Sequence, residues 1–259
     1  MALTRALCQD NTMTNDIALL SGAVSKIALV TGGGGGIGRA TIDLFRQADV
    51  QVAAADIVNL DDPEEGYWPL KTDCTDERQV KATVGAVAHR YGAIDFLVHA
   101  VGATGSGPFA DVARDDWDQL LAVNLTSAFL VAKEAFTRLR KPGASVVFIA
   151  STNARNGGNV LSGPAYAAAK AGVLNLSRYL AREWAAEGVR VNCLAPGPVD
   201  TPMLDRLSED HRSALKEKMF ERRLSSAAEI AAGVAWLCAD HAASVTGACL
   251  NISGGLVID

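Results

Sequence analysis

Positive charge is in short supply: 24 lysines and arginines stand against 29 acidic residues in 259, a net charge of -5. A surface that binds nucleic acid needs clustered cations to neutralise phosphates. The densest basic stretch, 216–223, is interleaved with Glu217 and Glu221, reads as a solvated helix face, and gives no nucleic-acid partner. Cysteine is scarce and unpatterned. Five residues (Cys8, Cys74, Cys193, Cys238, Cys249) with no C-x-x-C pair exclude a disulfide framework and a zinc site, so no metal is expected and the cytoplasm is the expected compartment. No apolar run is long enough to span a bilayer, and Asp10, Asn11, Asn15 and Asp16 interrupt the first two dozen residues where a leader would need a continuous apolar core. No membrane partner is expected. Residues 1–25 read as a loose extension, within which Met13 is an alternative start. Linkers, repeats and charge blocks are also missing, so residues 26–259 read as one domain.

What is present is apolar: 49% hydrophobic residues against 20% charged, ample for a buried core. Short β-branched runs at 27–30, 51–55, 68–71, 96–100, 145–150, 189–194 and 249–252 alternate with segments of helical period at 37–48, 77–91, 116–140, 165–187 and 227–239. That alternation predicts an α/β fold, a doubly wound parallel sheet of Rossmann type with helices on both faces. In such a sheet ligands sit at the carboxyl ends of strands, which directs attention to the residues just after each one.

The first such point is Thr31-Gly32-Gly33-Gly34-Gly35-Gly36-Ile37-Gly38, between the first strand and the first helix. Glycines allow a tight turn and close backbone approach to a pyrophosphate, which the free N–H groups and positive end of the helix stabilise. A flexible linker is the plain alternative, but linkers rarely join a buried strand to an amphipathic helix. Asp56 ends the second strand, 18 residues beyond Gly38, where a carboxylate can accept hydrogen bonds from ribose hydroxyls and repel a 2′-phosphate. Its neighbours Gly35 and Ile57 offer no cation, so NAD(H) is expected in preference to NADP. Asp73 holds the equivalent place one strand on and could meet an adenine amino group or cap a helix.

Tyr166 and Lys170 lie four apart in a helical segment and therefore on one face. A phenol beside an ammonium has its pKa lowered from about 10 toward working pH, and can then exchange a proton with an alcohol or carbonyl as a hydride moves. Ser151 directly follows an apolar strand, where it could hold a substrate oxygen or merely form a turn. Asn124 interrupts Leu120-Leu121-Ala122-Val123 and Leu125; a buried amide there must either satisfy bent backbone or order a water.

Together the glycine turn and the Tyr-x-x-x-Lys pair resemble the short-chain dehydrogenase/reductase family over roughly residues 26–255. The resemblance implies an NAD-linked oxidoreductase that interconverts a secondary alcohol and a ketone. It implies a catalytic tetrad of Asn124, Ser151, Tyr166 and Lys170. Serine orients the substrate oxygen, tyrosine is the acid/base, lysine supports it and holds the nicotinamide ribose, and asparagine anchors a relay water. Gly32, Gly36, Ile37, Gly38, Cys74, Ala100 and Gly102 match cofactor positions, and Pro196, Gly197, Val199 and Thr201 match the segment that closes over the nicotinamide amide. Two departures stand out. His99-Ala100-Val101-Gly102 replaces the common Asn-Asn-Ala-Gly, and Ser151 lies 15 residues before Tyr166, which leaves Asn153, at 13, as a rival for orienting substrate. His99 itself reads as a satisfied histidine ending a strand. Residues 200–224 read as a substrate lid with Met203, Leu204 and Leu207 as its apolar face, or as a plain pair of surface helices; Arg155 and Asn159 could meet a polar substrate or solvent. Relatives are commonly homotetramers that pair the helices at 116–140 and 165–187. Rival readings are a 3-oxoacyl thioester reductase and a non-catalytic NAD-binding regulator.

Overall fold

The structure, a computed structural model, describes Leu20, Ala23 and residues 25–258. Seven parallel strands form the main sheet in the order β3-β2-β1-β4-β5-β6-β9. They are β1 Ile27–Thr31, β2 Gln51–Asp56, β3 Tyr67–Lys71, β4 Phe96–His99, β5 Ser145–Ile149, β6 Arg190–Pro196 and β9 Cys249–Ile252. β1 and β5 are buried along their whole length, which explains why they read as continuous apolar runs rather than alternating ones. Side chains still alternate between faces. Leu29, Leu97, Val146, Phe148 and Val191 belong to one core cluster, and Ala28, Val30, Val98, Val147 and Leu194 to the other. The first cluster is completed by α2 (Glu77–Tyr91), α4 (Ser127–Phe136) and α6 (Pro164–Trp184) through Val84, Val131, Val173 and Trp184. The second is completed by α1 (Gly36–Gln47) and α8 (Ala227–Cys238) through Ile42, Phe45, Ile230 and Val234. Leu20 and Ala23, expected within a loose extension, are buried in this second cluster, so the packed chain begins before Lys26. The rest of the expected extension lies outside the described residues.

β1 pairs with β2 on one side and β4 on the other. The chain thus winds away from β1 in both directions and leaves a crevice at the carboxyl ends of β1 and β4. Several boundaries differ from expectation for physical reasons. The single helix expected at 116–140 is divided into α3 (Arg114–Leu121), a π-helical turn (Ala122–Thr126) and α4, because the Asn124 amide donates to Leu120 O at 2.9 Å and to Ala103 O at 2.8 Å. β3 contains Pro69 and tolerates it because it is an edge strand, paired only with β2. α6 starts with Pro164, whose missing N–H would have no acceptor at that position.

Residues 201–224 leave the sheet and return. They hold a 3-10 turn (Pro202–Leu204) and α7 (Glu209–Lys218), with α5 (Asn153–Asn156) a single earlier turn after β5. The excursion begins at β7 (Val199–Asp200) and ends at β8 (Ser225–Ser226), which pair in parallel and hold its two ends side by side. Among the described residues no helix is long and apolar enough to cross a membrane.

Candidate active site

The glycine turn is fixed by its own crowding. Gly32 has φ +78°, and a Cβ there would lie 2.6 Å from the Ala100 carbonyl carbon; a Cβ on Gly38 would lie 2.0 Å from Gly32 O. No side chain caps the start of α1, where Gly35 is the N-cap, and no acid occupies its first turn. The first N–H groups of that helix therefore lack intrahelical acceptors and face outward with the positive end of its dipole. Asp56 stands behind the turn: Gly34 N donates to Oδ2 at 2.9 Å and Val58 N to Oδ1 at 3.1 Å. Asp73 accepts from Thr75 N and Oγ1 through Oδ1, at 2.8 and 2.7 Å. The helix-capping alternative for Asp73 is not realised, since Asp76 caps α2. Burial, with the charges of Asp56 and Asp73, pushes the Cys74 thiol up to about 12.

A cavity of about 570 Å³ runs from Gly34–Gly38 past Ala100 and Gly102 to the 201–224 excursion. Ser151, Tyr166 and Lys170 line it, together with Asn153, Pro196, Gly197, Val199, Thr201 and Met203. Gly32, Asp56, Asp73 and Cys74 lie outside that lining. β5 carries Ser151 at its carboxyl end, while α6 presents Tyr166 and Lys170 on its buried face. The Ser151 hydroxyl bears on the Tyr166 phenol and draws its pKa down against the effect of burial. Asn153 instead donates from Nδ2 to Ser162 Oγ at 2.8 Å, and its backbone N–H donates to Ser151 Oγ at 3.1 Å. Of the two rivals, Ser151 is the one whose hydroxyl acts on the tyrosine.

The electrostatics differ from the simple pairing expected of Tyr166 and Lys170. Burial holds the phenol above its usual range, opposed by the Ser151 hydrogen bond and by the charge of Arg206, not by the lysine. Lys170 Nζ lies 5.8 Å from the Tyr166 ring centroid and donates to Ile149 O at 2.8 Å and Val101 O at 3.4 Å. Burial alone brings its pKa down to about 8. The ammonium thus ties the carboxyl ends of β4 and β5 together at the cavity floor. Gly102 packs closely there, and a Cβ would come within 3.2 Å of both Lys170 Nζ and Asn124 Oδ1.

Asn124 is fully buried, and Ala103 N donates to its Oδ1 at 3.2 Å while both amide hydrogens go to backbone oxygens. The side chain anchors the loop after β4, and a water held here would use the remaining Oδ1 lone pair or a main-chain carbonyl. His99 is buried between Thr31 Oγ1, 2.8 Å from Nδ1, and Ser127 Oγ, 3.1 Å from Nε2. Burial, with some help from the Lys170 charge, takes it down to about 3, so it is a neutral cross-link from β1 to α4, as the sequence suggested. Thr201 rests against Gly36, where a Cβ would lie 2.4 Å from its Cγ2. Arg155 turns away from the cavity and donates to Cys249 O at 3.2 Å. Arg206, which the sequence reading passed over, lines the cavity and donates to Leu161 O. Its only sequence signal is a lone cation inside Met203-Leu204-Asp205-Arg206-Leu207.

This arrangement can hold an anionic dinucleotide at one end and a small oxygen-bearing molecule against a paired serine and tyrosine at the other. Known proteins share it. A family model described as enoyl-(acyl carrier protein) reductase matches residues 33–257. The 3-oxoacyl-[acyl-carrier-protein] reductase of Thermotoga maritima is 35% identical over 90% of this chain and 98% of its own. The cis-4-hydroxycyclohexanecarboxylate dehydrogenase of Sinomonas cyclohexanicum is 33% identical over 89% and 96%. Among solved structures, the ligand-free aldohexose dehydrogenase of Thermoplasma acidophilum superposes with a TM-score of 0.84 at 29% identity, over 91% of this chain and 95% of that one. The chain therefore belongs to the short-chain dehydrogenase/reductase family, oxidoreductases that act on CH–OH and C=O groups.

Proposed function

We propose that the protein reversibly interconverts a secondary alcohol and a ketone with NAD(H), and that Tyr166 is the group that moves the proton. The observation that carries this reading is that Ser151, Tyr166 and Lys170 line one cavity whose other end is the uncapped, glycine-lined start of α1. The residues present suit a nicotinamide dinucleotide: backbone donors and a helix dipole for the phosphates, and the Asp56 carboxylate behind them for an unphosphorylated ribose. When bound, the cofactor accepts a hydride from the alcohol carbon or returns one to the carbonyl carbon. Ser151 holds the substrate oxygen, Tyr166 takes or gives the hydroxyl proton, and Lys170, fixed on Ile149 O and Val101 O, holds the nicotinamide ribose. Asn124 keeps the loop after β4 in place and holds the relay water. Pro196, Gly197, Val199 and Thr201 close over the nicotinamide end, and residues 200–224 act as the substrate lid, with Asn153 and Met203 on the substrate side.

Because burial raises the Tyr166 phenol, its neutral form dominates near pH 7 and serves ketone reduction. Oxidation needs the phenolate and should accelerate as pH rises. Tyr166→Phe should lower kcat by about 10²–10⁴-fold while NADH still binds; an unchanged kcat would remove Tyr166 from the reaction. A substrate panel should include 4-hydroxycyclohexanecarboxylate, aldohexoses and 3-oxoacyl thioesters, since relatives are named for them. The thioester reading is the second one supported by those names, and strong NADPH-linked reduction of such thioesters would favour it. For the cofactor, wild type should bind NADH more tightly than NADPH, with Asp56→Ala narrowing the gap; tighter NADPH binding by wild type sinks the NAD assignment. A homotetramer paired through α4 and α6 is also proposed, supported by exposed Phe129 on α4 and Tyr179 on α6.

A further inference from the structure

The oxidoreductase reading leaves the substrate open, and the far end of the cavity narrows it. Arg206 reaches from the 201–224 excursion to the loop before α6 by donating to Leu161 O. A guanidinium carries five N–H donors in a planar fork. Leu161 engages the fork at one nitrogen, and no carboxylate pairs with Arg206 among the described residues. Its neighbour Asp205, the obvious partner, is bound instead by Arg212, which also takes Asp200. Among the described residues no aspartate or glutamate lines the cavity. Lys218 lines it too and has no acidic partner among the described residues, whereas Lys216, two residues earlier, faces Glu209 at 3.7 Å.

The facing loop offers the same polarity. The amide oxygens of Asn156 and Asn159 accept from Gly158 N at 2.9 Å and Leu161 N at 2.8 Å. Their NH₂ donors remain, beside one lone pair on each oxygen. The charged side chains that line the cavity among the described residues, Lys170, Arg206 and Lys218, are thus all cationic. Around them Leu204 and Leu207, both half-buried, supply apolar wall.

We propose that the substrate is a hydroxy or oxo acid and that Arg206 receives its carboxylate at the outer end of the cavity, while the reacting carbon lies at Tyr166; this rests on the redox reading above. A planar guanidinium suits a carboxylate through two parallel N–H···O bonds. The Tyr166 phenol independently registers Arg206, whose charge opposes the upward push of burial.

The test separates charge recognition from turnover. Carboxylate and carboxamide pairs of matched shape (butyrate and butyramide, cyclohexanecarboxylate and cyclohexanecarboxamide, benzoate and benzamide) are titrated by calorimetry into the enzyme, with and without NADH. At least one carboxylate should bind tenfold or more tightly than its amide. Arg206→Met should bring that ratio within threefold, Arg206→Lys should retain part of it, and Lys216→Met should leave it unchanged. Circular dichroism melts establish that the variants are folded. No preference for any carboxylate in wild type, or a preference that survives in Arg206→Met, overturns the proposal. So does loss of NADH binding in Arg206→Met as large as its loss of carboxylate binding, which would give the residue to the cofactor. Turnover of 4-hydroxycyclohexanecarboxylate and its methyl ester is followed in parallel. If carboxylate selectivity stands while no alcohol or ketone in a broad panel reacts, the redox reading fails and the anionic subsite survives.

Discussion

The residue with the clearest thermodynamic signature is His99. In the folded chain it stays neutral down to about pH 3, whereas an imidazole in the unfolded chain takes up a proton near pH 6.5. Between those values the unfolded state binds more protons, so stability falls as pH drops below about 6.5 and is fully present above it. Thermal melts from pH 7 to pH 4 should show this loss, and His99→Asn should flatten the slope; parallel slopes for the two proteins would refute it. The histidine's bland role was legible from its place at a strand end, but its partners Thr31 and Ser127 were not, because both are remote in sequence. The glycine turn was legible for the opposite reason. Its spacing is set within the turn, where Gly38 meets Gly32, although Ala100 and Thr201 crowd it from elsewhere in the chain. Arg206 was invisible, since its meaning comes from a loop 45 residues away and from what its neighbour Asp205 does with another arginine.

At the scale of elements, periodicity located the strands well because a parallel sheet buries both faces of each. It failed where a side chain overrides the helix. The π-helical turn at Asn124 could be read from the sequence only as a poor helix former in an apolar run; the Ala103 backbone that captures it lies 21 residues earlier. Caps were equally readable and were not used. Ser226 and Glu229 form a reciprocal capping box at the start of α8, with Ser226 N donating to Glu229 Oε2 at 2.7 Å and Glu229 N to Ser226 Oγ at 3.2 Å. Arg223 pairs with the same glutamate. Removing that cap with Ser226→Ala should lower stability by about 1 kcal/mol, read from urea denaturation at pH 7. A loss within a few tenths would mean that packing of Ile230 and Val234 alone fixes the helix start.

For the whole molecule, assembly is the property least determined by a single chain. Sedimentation should find a particle of four chains, and Tyr179→Asp, which places a charge on the exposed face of α6, should shift it toward smaller species. A monomer in wild type would leave Phe129 and Tyr179 as ordinary surface residues. The remaining architectural feature is the parallel contact of β7 and β8. Because both ends of the 201–224 excursion are held beside each other by this two-stranded pair, its closure depends only weakly on how many residues it holds. The segment therefore tolerates changes of length: insertions or deletions between Asp200 and Ser225 should leave the strands, the glycine turn and the tyrosine helix in their places.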